Sequence, residues 1–227
     1  MLDNSTFLAI IPARGGSKRL PRKNILNLGG KSLISWTIEA ALKSRYIDNT
    51  VVTSDDEEIL KIANHIGSKT IKRPGHLAND TATTIEAIVH TISNLKNSYD
   101  YIILLQPTSP LRTEKHIDQA IELLESKNAD SVISVCEMEH SPLWSNKLAK
   151  SGSMVNFISD DIKNKRSQDL DRYYRLNGAI YICDTQKLLA ENSFFLKRNV
   201  FAYKMKKEHS IDIDEEFDFK IAKAYLV

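Results

Sequence analysis

Cysteine is scarce in this chain: Cys136 and Cys183 are the only two in 227 residues. Both fall in apolar, strand-like runs, so they read as small core residues in a reducing compartment and not as a disulfide framework. Net charge is scarcer still, with 31 Lys plus Arg against 29 Asp plus Glu leaving +2. No global basic field therefore marks a nucleic-acid or membrane-surface binder. Aromatic residues make up 7% of the chain and are not interleaved with the basic clusters, as a base-stacking surface requires. No apolar run approaches membrane-spanning length. The opening Met1-Leu2-Asp3-Asn4-Ser5 lacks the basic region and apolar stretch of a secretory leader. Repeats and low-complexity tracts are missing too. These absences lead to the expectation of a soluble cytoplasmic protein, without nucleic acid or membrane as partner.

Positive charge is instead local. An apolar run, Phe7-Leu8-Ala9-Ile10-Ile11, reads as a buried strand, and Arg14, Lys18, Arg19, Arg22 and Lys23 follow it around the Gly15-Gly16 pair. A loop at the end of a buried strand, with small residues for close backbone approach and several cations, suits a polyphosphate. Neither common phosphate motif is present: the dinucleotide fingerprint needs three spaced glycines, and the P-loop needs Gly-Lys-Ser/Thr after a second glycine. A basic, solvated surface loop is the competing reading.

Strand-like runs alternate with helical periods along the rest of the chain. Strands are expected at 7–12, 50–53, 101–106, 131–136 and 177–183. Helices are expected at 31–45, after the Ser54-Asp55-Asp56 cap, at 83–96 and from a Thr113 cap through Leu124. A last helix at 214–226 shows Phe217, Ile221, Ala224 and Tyr225 on one face. The alternation predicts an α/β chain: a three-layer αβα sandwich around a mostly parallel, Rossmann-like nucleotide-binding sheet. In such sheets ligands lie beyond the carboxyl ends of the strands, where the loops at 13–24, 54–56 and 106–112 converge. A length of 227 residues suits a single domain over 1–227, interrupted at 137–176 by short amphipathic pieces and polar loops.

Five blocks then stand out in order: IPARGGSKRLPRKN at 11–24, RPGHLANDTATT at 73–84, LLQPTSPLR at 104–112, YRLNGAIYI at 174–182 and SIDID at 210–214. On these the sequence resembles the CMP-sialic acid synthetases (N-acylneuraminate cytidylyltransferases) and their relatives for legionaminate and pseudaminate, over nearly its whole length. The resemblance implies transfer of CMP from CTP to the anomeric hydroxyl of a nine-carbon sialic-type acid, with loss of pyrophosphate. It also implies a homodimer, with 137–176 reaching across as a dimerisation and sugar-pocket segment. A related reading is a CMP-Kdo synthetase, whose first loop also looks like Ile-Pro-Ala-Arg; Lys23-Asn24 and Asn177-Gly178-Ala179 fit the sialate branch better. A third is a silent nucleotide- or RNA-binding module, which has no need of both Asp212 and Asp214.

The implied reaction builds negative charge on phosphate oxygens, so it needs positioned cations and a divalent metal. Lys23 is assigned to the α-phosphate and Arg14 with Ser17 to the β and γ groups, since the matching motif residues contact phosphate in the family. Arg73 can donate to cytosine O2 or N3, and backbone carbonyls around Pro12 and Ala13 can accept from N4. Asn24, Asp80 and Thr84 match family positions near base, ribose or sugar, with a helix cap as the other reading of Asp80-Thr81. In an extended 210–214, Asp212 and Asp214 face one way while Ile211 and Ile213 bury the other. Two such carboxylates suit Mg²⁺ or Mn²⁺ bridged to phosphates; a helix cap is the other role open to Asp214. Sugar contacts are expected from Gln106, Thr108, Ser109, Arg166, Arg175 and Tyr181, and from Phe194 and Phe195 in a neighbouring subunit's pocket. Two departures touch the acceptor side: the family's Arg-Arg-Gln-Asp-Leu-Pro appears as Arg166-Ser167-Gln168-Asp169-Leu170-Asp171, and Trp144 stands where some members have lysine. His140 and His209 flank motifs without an evident role as base.

Overall fold

The computed structural model describes residues 5–226. Strand β1 (Phe7–Pro12) leads through the cationic loop to a small hairpin of β2 (Asn27–Leu28) and β3 (Lys31–Ser32), then to α1 (Leu33–Lys43). There follow β4 (Asn49–Ser54), α2 (Glu57–Ile66), β5 (Lys69–Lys72), α3 (Thr84–Ser93), β6 (Tyr101–Leu104), α4 (Glu114–Ser126) and β7 (Ser131–Glu137). After a long irregular segment come β8 (Tyr174–Asp184), α5 (Thr185–Glu191), β9 (Val200–Met205) and α6 (Glu216–Ala224).

Seven strands form one sheet in the order β5-β4-β1-β6-β8-β7-β9. The pairs β1–β4, β1–β6, β4–β5 and β7–β9 are parallel, whereas β8 runs antiparallel to both β6 and β7. The mostly parallel expectation holds, with β8 reversed: an antiparallel neighbour needs no helical crossover, and the irregular segment returns the chain from the other end. Every residue from Phe7 to Ile11 is buried because both sheet faces are covered. Phe7, Ala9 and Ile11 pack with Ile34, Ile38, Ile59 and Ile117 of α1, α2 and α4, while Leu8 and Ile10 join Ile88 of α3 and Leu188 of α5. This is the expected three-layer arrangement.

Strands β5 and β9 escape the sequence pattern because they are the sheet's edges and most of their side chains are exposed. The face of α6 is a correction. Phe217, Ala224 and Tyr225 point to solvent, and it is Ala222, with Phe219 and Leu226, that packs on Leu28, Leu33 and Ile213. Residues 138–173 hold only short 3₁₀ turns at Pro142–Trp144 and Ser167–Asp169, with Ile162 buried. Cys136 and Cys183 are free and buried. Among the described residues no helix is long and apolar enough to cross a membrane.

Candidate active site

The chain leaves β1 still tied to β4, Ala13 N donating to Thr53 O at 3.0 Å. Two acids after β4 then shape the loop. Gly15 N donates to Asp55 Oδ1 at 3.1 Å. A Cβ on Gly15 would stand 2.6 Å from Asp56 Oδ2 and 2.9 Å from Asp56 Cβ, so this glycine serves close approach. Asp56 Oδ1 accepts from Glu58 N (2.8 Å) and Ile59 N (3.2 Å), capping α2 as expected, and Oδ2 meets Arg22 Nη1 at 3.2 Å. Arg22 adopts a left-handed φ of 55° and starts the turn Lys23–Ile25, which carries Lys23 and Asn24 into the interior. Asn24 Nδ2 donates to Arg14 O at 3.0 Å, while its Oδ1 has no partner among the described residues.

Lys23 joins the two ends of the chain. Its Nζ donates to Ile213 O and lies 3.4 Å from Asp214 Oδ1. The 210–214 segment is not a strand, yet Ile213 is buried while Asp212 and Asp214 both line the cleft. Asp214 is not a helix cap; Glu215 holds that position. The acid segment is strapped down from below: Asn177 Nδ2 donates to Ser210 Oγ (2.9 Å), and Asn177 Oδ1 accepts from Ser134 Oγ (2.6 Å). Burial is the main cause that raises the Asp212 carboxyl above its usual range, with a Thr108 hydrogen bond acting against it. Its Oδ1 is buried without a partner among the described residues.

The resulting cleft has a volume of about 380 Å³. Arg14, Ser17, Lys23 and Asn24 line it from the first loop, Arg73 and Asp80 from the loop before α3, Thr84 from the first turn of α3, and Gln106 and Thr108 from just beyond β6. Arg73 is buried, and that burial lowers its pKa while Asp55 acts to raise it; its Nε lacks a partner among the described residues. Asp80 is not a helix cap, a role taken by Thr83. It binds Arg14 at 3.1 Å and Lys18 at 2.6 Å, and the Lys18 hydrogen bond is the leading cause that lowers its carboxyl pKa. Arg19 pairs with Asp214 at 2.8 Å. The loop's cations thus hold carboxylates that an entering polyphosphate can displace.

Beside the cleft, and sharing Thr83, Thr84 and Gln106 with it, lies a hollow of about 300 Å³ lined by Tyr181, Phe194 and Phe195. The aromatics expected in a neighbouring subunit's pocket therefore flank the cleft of their own chain. The cause is local: Ser131 Oγ bonds both Ile182 O and Phe194 O at 2.8 Å, tying that segment to β8. Gly178, with φ of 72°, lets β8 approach: a Cβ there would stand 2.6 Å from Gln106 Oε1 and 3.4 Å from Asp212 Oδ2.

Four expected residues lie elsewhere. Ser109 is fully buried with its hydroxyl turned inward, because its N–H closes a turn on Gln106 O. Ala13 is buried beneath the cleft, leaving Pro12 to line it. Arg166 is exposed on Asp169 and Arg175 reaches Glu139, both outside the cleft of this chain. His140 is exposed, and the ring of His209 lies tilted against His116, centroids 4.7 Å apart and planes at 51°. Sequence reading missed Asp55, Asn177, Ser134, Gly178 and Arg112 as shaping groups, although acids closing a β-strand were a usable signal for Asp55.

Comparisons with known proteins point to one family. Residues 8–225 match the family model described as Cytidylyltransferase. The chain is 39% identical over 214 residues to N-acylneuraminate cytidylyltransferase of Streptococcus agalactiae serotype V, covering 93% of this chain and 51% of that protein. It thus spans about half the length of the first curated relatives it matches. It is 34% identical over 228 residues to CMP-N,N'-diacetyllegionaminic acid synthase of Legionella pneumophila, covering 95% of this chain and 94% of that one. Its fold is similar to the solved CMP:2-keto-3-deoxy-manno-octonic acid synthetase complexed with CTP, at TM-score 0.71 and 18% identity over 97% of this chain and 98% of that one.

Proposed function

Because the chain belongs to the cytidylyltransferase family, we propose that its cleft binds CTP and transfers CMP to the anomeric hydroxyl of a nine-carbon, N-acylated sialic-type acid. The observation that carries this reading is the meeting of Lys23 with Ile213 and Asp214, which sets loop cations and twin acids around one cavity. In the reaction the sugar hydroxyl oxygen bonds to the α-phosphorus and releases its proton to solvent, while the bond from the α-phosphorus to the α–β bridging oxygen breaks and pyrophosphate leaves. Lys23 stabilises charge growing at the α-phosphate, and Arg14 with Ser17 holds the β and γ groups. Arg73, with a free Nε at the buried end of the cleft, donates to cytosine. A site that places its own donors this way rejects a base that leaves them unpaired.

The acids fit a divalent cation. Asp212 carries a buried oxygen without a partner, and Asp214 faces the same cleft. Two carboxylates completed by phosphate oxygens and water suit Mg²⁺ or Mn²⁺. When bound, the ion screens phosphate charge; the chain's own part is to hold Asp212 through the Asn177–Ser210 strap. Gln106 and the Tyr181–Phe194–Phe195 hollow take the sugar acid, the apolar rings meeting its N-acyl group. That hollow favours an N-acylated acid over Kdo.

A homodimer completes the reading. Leu143, Leu148, Met154, Val155, Tyr173 and Tyr174 are all exposed on or beside the irregular segment, more apolar surface than an isolated strap leaves in water. Packing it on a second copy would bring Arg166 toward that copy's cleft. Free, buried cysteines and dependence on CTP suit a cytoplasmic setting. The test is pyrophosphate release from each NTP with Mg²⁺ and a panel of sugar acids. CTP with an N-acylated nine-carbon acid is the expected pair; release with Kdo alone, or with no acid, overturns the proposal.

A further inference from the structure

Arg112 is 1% exposed, and its guanidinium sits where two strands part. The β6–β8 register ends at Leu104↔Tyr181; continued by two residues it would set Gln106 against Ala179. That rung is never made. On β8 the amide of Ala179, which would face Gln106 in that rung, donates instead to the side chain of Asn177 (3.3 Å). Arg112 Nη1 occupies the gap, donating to Gln106 O at 3.3 Å and Ala179 O at 3.2 Å. Its Nε and Nη2 have no partner among the described residues. Burial lowers its pKa to about 9, which leaves it charged at neutral pH. A buried cation so poorly paired is costly for stability alone.

We propose that Arg112 is a positioning residue: it wedges β6 and β8 apart at the missing rung and so fixes the Gln106 side chain beneath Gly178, at the mouth shared by the cleft and the aromatic hollow. The wedge explains the contact at Gly178, where Gln106 Oε1 lies 2.6 Å from the position a Cβ would take. Without it the carbonyls of Gln106 and Ala179 lose their shared donor, and the strand ends relax toward ordinary pairing. This inference rests on the reading that Gln106 faces the sugar acid.

The test uses Arg112→Met, which keeps the length of the side chain, and Arg112→Lys, which keeps the charge but lacks the planar fork. In Arg112→Met, kcat/KM for the sugar acid should fall on the order of 10²-fold, the cost of a misplacement of about 1 Å, while the calorimetric Kd for CTP moves less than about threefold. Arg112→Lys should fall between the two. Crystal structures supply the second readout: the Gln106 amide should leave Gly178 in Arg112→Met. A lowered melting temperature with unchanged kinetic constants and Gln106 in place overturns the proposal, and the same result in Arg112→Lys does so if the Met variant does not fold. Wild-type protein inactive with every nine-carbon acid would sink the functional reading instead, and the position of Gln106 in the variant crystals would still decide the role of Arg112.

Discussion

A single methyl group at Gly15 should disable the site without touching any ligand. The added Cβ would meet Asp56 Oδ2 at 2.6 Å, Asp56 Cβ at 2.9 Å and Asp56 Cγ at 3.2 Å, and the first two distances cannot stand. If Asp56 swings away, α2 loses a cap, costing about 1 kcal/mol, and the exposed pair with Arg22 adds up to about 1 kcal/mol. If the loop lifts instead, the bond from Gly15 N to Asp55 breaks, at about 1 kcal/mol. Either route costs about 1–2 kcal/mol, or a fall in Tm of about 2–4 °C for a chain of this size. Both routes also move Arg22, and with it the turn that aims Lys23; a displacement near 1 Å should lower turnover about 10²-fold. Pyrophosphate-release kinetics and a thermal melt of Gly15→Ala read the two effects. Asp56→Gly removes the obstructing atoms and keeps an acceptable cap, so Gly15→Ala should be far milder in that background. Turnover of Gly15→Ala within about twofold of wild type, or no rescue by Asp56→Gly, would refute the packing argument.

Lys23→Ala should keep the far-ultraviolet circular dichroism of the fold and lose about 10²–10³-fold in turnover, as removal of a focused donor does; near-native activity would take Lys23 off the phosphate. Asp214→Asn should raise the Mg²⁺ concentration for half-maximal rate, and an unchanged Mg²⁺ curve would leave Asp214 only its ion pairs with Arg19 and Lys23. His116 is held to a pKa of about 4, chiefly by burial and then by His209 and Arg112. The unfolded chain therefore takes up this proton first: the contribution is whole above about pH 6.5 and is lost as pH falls toward 4, worth about 1–3 kcal/mol after solvent screening. His116→Gln keeps an acceptor for Thr113 N in the capping box and should flatten that acid limb in urea melts; an unaltered pH profile refutes the assignment.

Sequence pattern revealed the strands that are buried on both faces, since β1 and β6 are apolar runs and β4 sets Val51-Val52 between threonines of high strand propensity, but a periodicity carries no direction, so the reversal of β8 was invisible. Polar edge strands such as β5 hide among loops because exposed side chains leave no apolar pattern to read. On α6 two apolar stripes compete, and only the tertiary neighbours Leu28, Leu33 and Ile213 select Phe219–Ala222–Leu226 over Phe217 and Tyr225. The cations of the first loop and the paired acids were legible because their residue types and spacing state a need for opposite charge. Arg112 was not: an arginine that replaces a strand rung reads in one dimension like any surface charge. Ser109 misled because a hydroxyl between prolines reads as exposed, whereas the turn on Gln106 O folds it inward.

The central claim is that loop cations and terminal acids act on one triphosphate. A double-mutant cycle of Lys23→Ala and Asp212→Asn, read by calorimetric binding of CTP with Mg²⁺, tests it most directly. Groups sharing a ligand couple by about 0.5–3 kcal/mol, so the double variant should bind CTP more tightly than the summed single losses require. Losses that add to within about 0.3–0.5 kcal/mol would mean the two ends of the chain serve separate purposes.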